Sequence, residues 1–257
     1  MKLERRYVEK PWGRTELPEM FDAPRGKRIG EVWFTGAGDK PLLVKYLFTS
    51  ERLSIQVHPD DAQAQERDLS RGKSECWYIL DAEPGSMLGL GLKEQVESER
   101  LRAAALDGSI EELMDWRVVR AADFFLVPPR TIHAIGGGIS LIEFQQNSDV
   151  TYRLYDYGSP RELHLDDGIA VARPEPYPHS LAQHLSPGGE MLLVDGPPFT
   201  LAQTHEDTFT DRERWVIPLH GEIRSGNDRA RPGDCLLVGP GERIDAAGAL
   251  LLIGATA

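Results

Sequence analysis

The chain has 257 residues, of which 40% are hydrophobic and 27% are charged, so its composition is that of an ordinary soluble globular protein. Its formal net charge of −12 argues against nucleic acid or an anionic membrane as a partner, because both need a basic surface. A small anionic substrate is not excluded, since it needs only a local cluster of Lys and Arg.

The cysteines, the first residues and the length of the apolar runs indicate the cellular compartment. The two cysteines, Cys76 and Cys235, lie in apolar, strand-like runs, which indicates buried free thiols in a reducing compartment and not a disulfide framework. The first residues carry mixed charges without an apolar core, and no apolar run approaches the length of a membrane span. We therefore expect a cytoplasmic protein without a signal peptide.

In chain order, the first part of the sequence alternates turns with β-prone runs. Residues 1–28 are rich in Pro, Gly and Arg, and their weak periodicity predicts turns at 11–13 and 24–26. Apolar or alternating runs then predict strands at residues 30–35, 42–48, 53–58, 75–80 and 86–92.

A change of composition marks the next segment. Residues 93–113 are rich in Glu, Arg, Leu and Ala, which predicts one or two helices interrupted at Asp107-Gly108-Ser109. Ser109 followed by Glu112 has the pattern of a capping box. Further strands are predicted at residues 116–120, 123–127 and 139–146, and a loop or edge strand at 149–157.

The C-terminal part is organised as a second set of short strands. Residues 173–189 are rich in Pro and predict a linker, after which short strands resume at residue 190. Many short strands, frequent turns and few helices indicate a β-barrel or jelly roll. We therefore predict an N-terminal domain at residues 1–172 and a C-terminal domain at residues 173–257.

An internal repeat supports a duplicated barrel. The segment that begins at Asp123 aligns with the one that begins at Asp234, and the segment at Glu75 aligns with the one at Glu213. In this register Ile244 stands where the first copy has His133, so we expect no second metal site. The run Gln-Thr-His at 203–205, which resembles Gln-Val-His at 56–58, is interpreted as a structural relic.

Four residues in three segments make a plausible cage for one divalent metal. Gln56 and His58 alternate with apolar residues, so on a strand that ends at Pro59 they share one face. Glu75 opens the next β-prone run, and His133 follows a strand farther along. Imidazole nitrogen and carboxylate oxygen suit zinc and similar ions, which act as Lewis acids on a carbonyl or hydroxyl. The alternative for any one of them is an ordinary polar surface residue.

Three charged residues near these segments are candidates for the chemistry. Lys73 would share the face of Glu75 on an extended chain, although a solvated loop lysine fits the spacing equally well. Glu143 lies in an apolar strand, where burial would move its pKa towards the general-base range, unless it faces outward. Arg153 has aromatic neighbours and is suited to recognise phosphate or an enediolate, or else makes a surface cation–π contact.

Four ordered motifs carry a resemblance to a known family. They are Ser-Ile-Gln-Val-His-Pro-Asp-Asp at 54–61, Gly-Lys-Ser-Glu-Cys-Trp-Tyr at 72–78, Pro-x-x-x-Ile-His-Ala-Ile-Gly-x-Gly at 128–138, and Glu-Phe-Gln-Gln-Asn-Ser-Asp-Val-Thr-Tyr-Arg-Leu-Tyr-Asp-Tyr at 143–157. They resemble the type I mannose-6-phosphate isomerases, which are zinc-dependent cupins, over about residues 10–170.

The resemblance implies a fold, a cofactor and a set of site residues. The fold is mainly β: a double-stranded β-helix (cupin or jelly roll) with a small helical insertion near residues 93–115 and a second, degenerate C-terminal cupin barrel. One Zn²⁺ per chain is implied, together with a phosphosugar substrate and a monomer or homodimer. The implied zinc ligands are Gln56, His58, Glu75 and His133. The implied substrate-site residues are Lys73, Glu143, Asp149 and Arg153.

The implied reaction interconverts D-mannose 6-phosphate and D-fructose 6-phosphate through a cis-enediol or enediolate. The sequence departs from the family in being short, in lacking the large helical insertion of the fungal-type members, and in having Ile135 where an aromatic residue is often found. Alternatives are an isomerase of another sugar or phosphosugar, or a metal-binding cupin that holds a sugar without turnover. A metal-dependent oxygenase is disfavoured because Gln56 replaces one of the histidines typical of that class.

Overall fold

A computed structural model describes all 257 residues of the chain. Strands contain 42% of the residues and helices 11%, so the predicted mainly β class is confirmed. The strands are β1 (Glu4–Arg14), β2 (Ile29–Thr35), β3 (Leu42–Phe48), β4 (Ile55–Val57), β5 (Glu75–Ala82), β6 (Met87–Leu92), β7 (Met114–Val118), β8 (Asp123–Val127), β9 (His133–Ile135), β10 (Ile139–Gln146), β11 (Tyr152–Tyr155), β12 (Ala182–His184), β13 (Met191–Val194), β14 (Phe199–Thr204), β15 (Arg214–His220), β16 (Ile223–Ser225), β17 (Asp228–Ala230), β18 (Leu236–Val238) and β19 (Leu250–Thr256). The α-helices are α1 (Asp61–Gln65), α2 (Ser98–Asp107), α3 (Ile110–Leu113) and α4 (Leu165–Val171), and a 3₁₀ turn spans His179–Leu181. None of these helices has the length and apolar character needed to cross a lipid bilayer.

The chain divides into two compact units, and the first joins both ends of the sequence. It comprises Met1–Tyr46 and Leu185–Ala257. Within it, β1 pairs antiparallel with β2, and five C-terminal strands pair in the order β13-β14-β19-β15-β18. The backbone of Lys2 bridges to Leu236 in β18. The domain boundary predicted at residue 172 stays a prediction.

The second unit, Leu47–His184, contains two groups of antiparallel strands. Four strands pair in the order β10-β5-β8-β12, and five pair in the order β11-β4-β9-β6-β7. The helical insertion predicted from composition is confirmed as α2 and α3. These helices and α4 cover one face of the five strands through a buried apolar cluster that includes Ile55, Val57, Leu101, Ile110 and Leu154.

Two local predictions for the first half of the chain are wrong. The turn expected at residues 11–13 is part of β1, and Gly13 serves there for close approach: a Cβ atom on it would lie 2.5 Å from the Gly30 nitrogen. The expected capping box at Ser109 does not form, because the hydroxyl of Ser109 donates to Asp107 Oδ1 at 2.6 Å. Asp60 instead caps α1 in a capping box with Gln63.

The predicted duplication is visible in the strand order of each unit. In the second unit β5 lies between β10 and β8, and in the first unit β15 lies between β19 and β18. The ladders also correct the sequence alignment by one residue. Glu75 is opposite Val127, whereas Arg214, and not Glu213, is opposite Val238. Arg214 therefore has the ladder position in the second copy that Glu75 has in the first.

Candidate metal centre

Three of the predicted ligands come together in the second unit. One ligand atom from each of His58, Glu75 and His133 lies within 4.8 Å of the others, and all three residues are buried. His133 Nε2 is 3.3 Å from Glu75 Oε1, and His58 Nε2 is 3.7 Å from the same oxygen. This is the arrangement that one small cation needs from a mixed nitrogen and oxygen site.

The strand pairing explains why these residues meet. Ile55 and Val57 point into the apolar cluster beneath the helices, so Gln56 between them points to the opposite face of β4. Across the sheet, Gln56 pairs with His133 in β9 on one side and with Arg153 in β11 on the other. Cross-strand partners share a face, so these three residues form one row directed at the cluster.

Hydrogen bonds to backbone carbonyls fix the tautomer of both imidazoles, so that the lone pair lies on Nε2. His58 Nδ1 lies 2.7 Å from the Val150 carbonyl oxygen, and His133 Nδ1 lies 2.8 Å from that of Thr131. A carbonyl can only accept, so each Nδ1 carries the proton and donates it. In the neutral ring Nε2 then carries the lone pair that can ligate a metal, and in both residues it lies near Glu75.

The buried surroundings of His133 keep its ring neutral. Desolvation lowers the pKa of His133 to about 4, and the charge of Lys73 acts in the same direction. Metal ligation requires neutral imidazole, so the ring needs no deprotonation at neutral pH. The donor set, the tautomers and the burial therefore fit a divalent metal.

Gln56 lies beside the three-residue cluster. Its Nε2 is 3.2 Å from His133 Nε2, and its Oε1 accepts from Ser54 Oγ at 3.2 Å. A half-turn about the last side-chain bond exchanges the amide oxygen and nitrogen, which have nearly the same shape. The oxygen of Gln56 can therefore face the cluster as a fourth, neutral ligand.

Lys73 is buried against the cluster and is not a solvated loop lysine. Its Nζ lies 2.7 Å from Glu75 Oε2 and 3.3 Å from His58 Nε2, and only 7% of its side chain is exposed. The ammonium group thus supplies a counter-charge to a carboxylate that is itself 1% exposed.

Glu143 also faces the interior, which excludes an outward-facing acid. It is opposite Trp77 in the ladder of β10 and β5, and it is 4% exposed. The indole Nε1 of Trp77 donates to Glu143 Oε2 at 3.2 Å. The same indole ring makes an edge contact with the His133 ring, with 5.4 Å between the ring centroids. Trp77 therefore contacts both Glu143 and one of the three candidate metal ligands.

The remaining two candidates are placed differently. Arg153 is half-buried at the end of the row with Gln56. Asp149 is exposed in the segment between β10 and β11, and the structure does not bring it into the cluster. Its neighbour Val150 does contact the cluster, through the carbonyl that holds His58.

The chain is similar to known proteins in both sequence and structure. No protein-family model matches the chain. A mannose-6-phosphate isomerase from Streptococcus mutans serotype c is 40% identical over 169 residues, which cover 63% of this chain and 53% of that protein. A mannose-6-phosphate isomerase from Bacillus subtilis is 42% identical over 206 residues, which cover 64% of this chain and 65% of that protein. The chain thus spans between 47% and 65% of the length of the curated relatives it matches.

Solved structures extend the similarity over the whole chain. Mannose 6-phosphate isomerase from Bacillus subtilis superposes with a TM-score of 0.77 at 24% identity and covers 98% of both chains. A mannose 6-phosphate isomerase bound with zinc and yttrium superposes with a TM-score of 0.73 at 15% identity, covering 100% of this chain and 99% of that one.

The chain has the fold of the mannose-6-phosphate isomerases. The resemblance read from the four motifs is confirmed by the curated relatives, and the predicted cupin architecture is confirmed by the structural neighbours. At these identities the structural likeness establishes the fold, and the chemistry rests on the residues themselves.

The second copy of the repeat holds no comparable cluster. Both ring nitrogens of His205 face backbone carbonyls, of Ala249 at 2.7 Å and of Gly188 at 3.0 Å, and Gln203 Nε2 donates to Gly189 at 2.7 Å. At the ladder position of Glu75 stands Arg214, whose buried guanidinium is bonded to Asp207 at 2.7 Å. The expectation that the second copy has no metal site stays a prediction.

Sequence reasoning missed three groups that contact the cluster: the Trp77 side chain and two backbone carbonyls. Trp77 lies two residues after Glu75 on the same strand face, so period-two spacing alone could have placed it beside the site. The carbonyls of Val150 and Thr131, which fix the imidazole tautomers, carry no signal in the sequence because every residue has a carbonyl.

Proposed function

We propose that the protein is a zinc-dependent aldose–ketose isomerase that interconverts D-mannose 6-phosphate and D-fructose 6-phosphate. The observation that carries the proposal is the buried His58, Glu75 and His133 cluster with Lys73 and Glu143 packed beside it. The similarity to mannose-6-phosphate isomerases supports the substrate, although those relatives are longer than this chain.

Zinc is the metal that the donor set favours. His58, Glu75 and His133 would hold it, with Gln56 as the fourth ligand, and two imidazoles with oxygen donors are typical of zinc sites in enzymes. A similar solved structure is described as bound with zinc. When bound, the metal supplies Lewis-acid polarisation of the sugar oxygens at C1 and C2.

The protein side chains have three tasks in the proposed reaction. A proton leaves C2 of the aldose and is delivered to C1 of the ketose, while a hydroxyl proton moves between O2 and O1. Glu143 is the candidate carrier, because it is a buried carboxylate whose Oε2 is held by Trp77. Lys73 neutralises nearby negative charge, and Arg153 stabilises the charge that develops on the enediolate.

The phosphate end of the substrate needs a separate anchor. Arg153 stands opposite Gln56, Asp149 lies four residues before it, and the family resemblance implies that both belong to the substrate site. Arg153 has a planar fork suited to phosphate or enediolate oxygens. Asp149 is exposed, so its contribution would come from contact with the sugar hydroxyls and not from proton transfer in a buried site.

A coupled assay with metal analysis tests the proposal directly. The purified protein should contain about one zinc per chain and convert mannose 6-phosphate, and a chelator should remove both properties until zinc is returned. Parallel assays on mannose and glucose 6-phosphate separate isomerases of other sugars. Binding of mannose 6-phosphate by metal-loaded protein without turnover would overturn the proposal in favour of a sugar-binding cupin.

Arg153→Ala separates charge stabilisation from metal binding. We expect kcat to fall by about 100-fold or more, as is typical when one donor to a developing oxyanion is removed, with metal content unchanged. Arg100→Ala, at an exposed position on α2, is the matched control and should keep its activity. Equal loss of metal and activity in Arg153→Ala would remove its assigned role.

A further inference from the structure

Arg153 lies on an edge strand whose outer side is not paired to another strand. β11 is the last strand in the order β11-β4-β9-β6-β7, and β4 lies on its inner side. The outward backbone groups of an edge strand need other partners or water. At Arg153 one residue, His164, supplies the partner for both groups.

Three hydrogen bonds join Arg153 to the segment that leads into α4. The Arg153 N–H donates to His164 Nδ1 at 3.3 Å, and the His164 N–H donates to the Arg153 carbonyl at 2.8 Å. Arg153 Nε donates to the Glu162 carbonyl at 2.9 Å. The backbone and the inner nitrogen of the guanidinium are thereby fixed, and the Nη atoms remain for other contacts.

The contact with His164 also explains why the Arg153 side chain lies close to that of Gln56. Because the N–H and C=O of Arg153 are directed at His164, its cross-strand pair with Gln56 is of the non-hydrogen-bonded kind. Side chains of such pairs lie closest to each other in an antiparallel sheet. The imidazole therefore helps to set how near the guanidinium stands to the metal cluster.

We propose that His164 is a positioning residue for Arg153, acting as a side-chain acceptor that takes the place of a missing neighbouring strand. This inference rests on the proposed isomerase function for its kinetic consequence. The hydrogen-bond geometry that carries it is independent of that function.

The acceptor role requires neutral His164, which gives the contact a pH dependence. Desolvation lowers the pKa of His164 below its usual value, the charge of Arg153 acts in the same direction, and Glu162 and Asp167 oppose it. Asp167 is itself bonded to Arg67 at 3.0 Å, and the ring of Tyr152 packs near the imidazole. The contact is intact at neutral pH. It is lost as pH falls through this lowered pKa, because protonated Nδ1 would face the N–H of Arg153.

Two substitutions at His164 distinguish a positioning role from a structural one. His164→Ala removes the acceptor, and we expect kcat to fall by about 10-fold or more, with KM changed much less and metal content unchanged. His164→Asn places an amide oxygen near the former Nδ1, so it should recover most of kcat and lose the decline at acid pH. His179→Ala, at an exposed position, is the matched control and should behave as the original protein.

A readout without turnover separates this inference from the proposed function. In ¹⁵N-arginine-labelled protein, the backbone N–H of Arg153, which donates to His164 Nδ1, should exchange slowly, exchange faster in His164→Ala, and be protected again in His164→Asn. Unchanged protection and kcat in His164→Ala, or equal loss in both variants, would overturn the inference. If the expected protection pattern is found but the unmodified protein fails to isomerise mannose 6-phosphate, the proposed function fails and the positioning contact stands.

Discussion

The carboxylate of Glu75 is shared by two imidazoles and one ammonium group. In the absence of metal, the Nζ of Lys73 at 2.7 Å is a positive charge in contact with this buried group. A divalent cation held by the same carboxylate would be a second positive charge that balances the negative charge of Glu75. Lys73 and the metal therefore act partly as alternatives in balancing one buried negative charge.

This sharing predicts that the cost of losing Lys73 depends on the metal. For Lys73→Ala we expect a loss of about 3 kcal/mol in the free energy of unfolding of the metal-free protein, the usual scale for stranding a buried charge. In the zinc-loaded protein the loss should be clearly smaller. Urea unfolding with chelator and with added zinc measures both values. Equal losses in the two states would show that the lysine does not balance the ligand carboxylate.

At the residue scale, the face on which a side chain lies could be predicted from alternation along one strand, whereas its neighbour on the next strand could not. Period-two alternation correctly put Gln56 on the face opposite Ile55 and Val57. It could not show that Gln56 would stand opposite His133, because the register between strands distant in sequence depends on packing and turns. The one-residue error in aligning Glu213 with Glu75 has the same origin.

At the scale of elements, the helical insertion shows how one glycine shapes the layer that covers the site strands. Gly108 ends α2 with a φ of +86°, in the left-handed region that favours glycine. A side chain at this position would also meet neighbouring atoms. An added Cβ would lie 2.9 Å from the hydroxyl of Tyr155, which belongs to β11. The turn between α2 and α3 is therefore packed against the strand that carries Arg153.

A prediction at this scale compares the free energies of unfolding of alanine variants at two glycines with the same φ angle. Gly85 also has a φ of +86°, but a Cβ on it would meet nothing within 4 Å. Gly85→Ala should cost only the conformational penalty, about 1 kcal/mol, whereas Gly108→Ala should cost about 2 kcal/mol because it also displaces the Tyr155 ring. Urea unfolding of the two variants gives the difference. Equal costs would mean that the ring moves freely and does not fix the turn.

Helices and strands were predicted correctly where composition or alternation is strong. They were missed where contacts of the backbone with distant segments determine the secondary structure. The Glu- and Leu-rich insertion and the apolar strands were foreseen. β1 was missed because its exposed and buried residues alternate irregularly across two register shifts in its pairing with β2. α4 has seven residues with Gly168 inside, too short and too interrupted to show a helical period.

At the scale of the whole molecule, the first unit brings together the two ends of the sequence. Leu3 N–H donates to the Cys235 carbonyl at 2.9 Å, and Leu237 N–H donates to the Met1 carbonyl at 2.8 Å. The first residues thus extend the C-terminal sheet beside β18. Hydrophobic patterns along a chain carry no information about such pairing between distant segments, so this pairing could not be predicted from the sequence.

The last prediction concerns the carboxylate that secures the N-terminus to this sheet. Asp234 is 3% exposed and contacts Arg5 Nη2 and Lys2 Nζ, each at 2.7 Å. Its second oxygen also accepts from the Arg231 N–H at 3.1 Å. Three donors converge on one buried acid, so its removal leaves several of them without an acceptor.

Asp234→Ala should therefore lower the free energy of unfolding by about 2 to 3 kcal/mol, the scale of lost hydrogen bonds to a charged group. Asp228→Ala is the matched control, because Asp228 is 42% exposed and its oxygen lies 3.6 Å from the N-terminal amine. An exposed pair of this kind contributes about 0 to 1 kcal/mol. The double variant Arg5→Ala with Asp234→Ala should cost less than the sum of the single losses, because both remove one interaction. Strict additivity in thermal or urea unfolding would show that the carboxylate stabilises the C-terminal strands without holding the N-terminus.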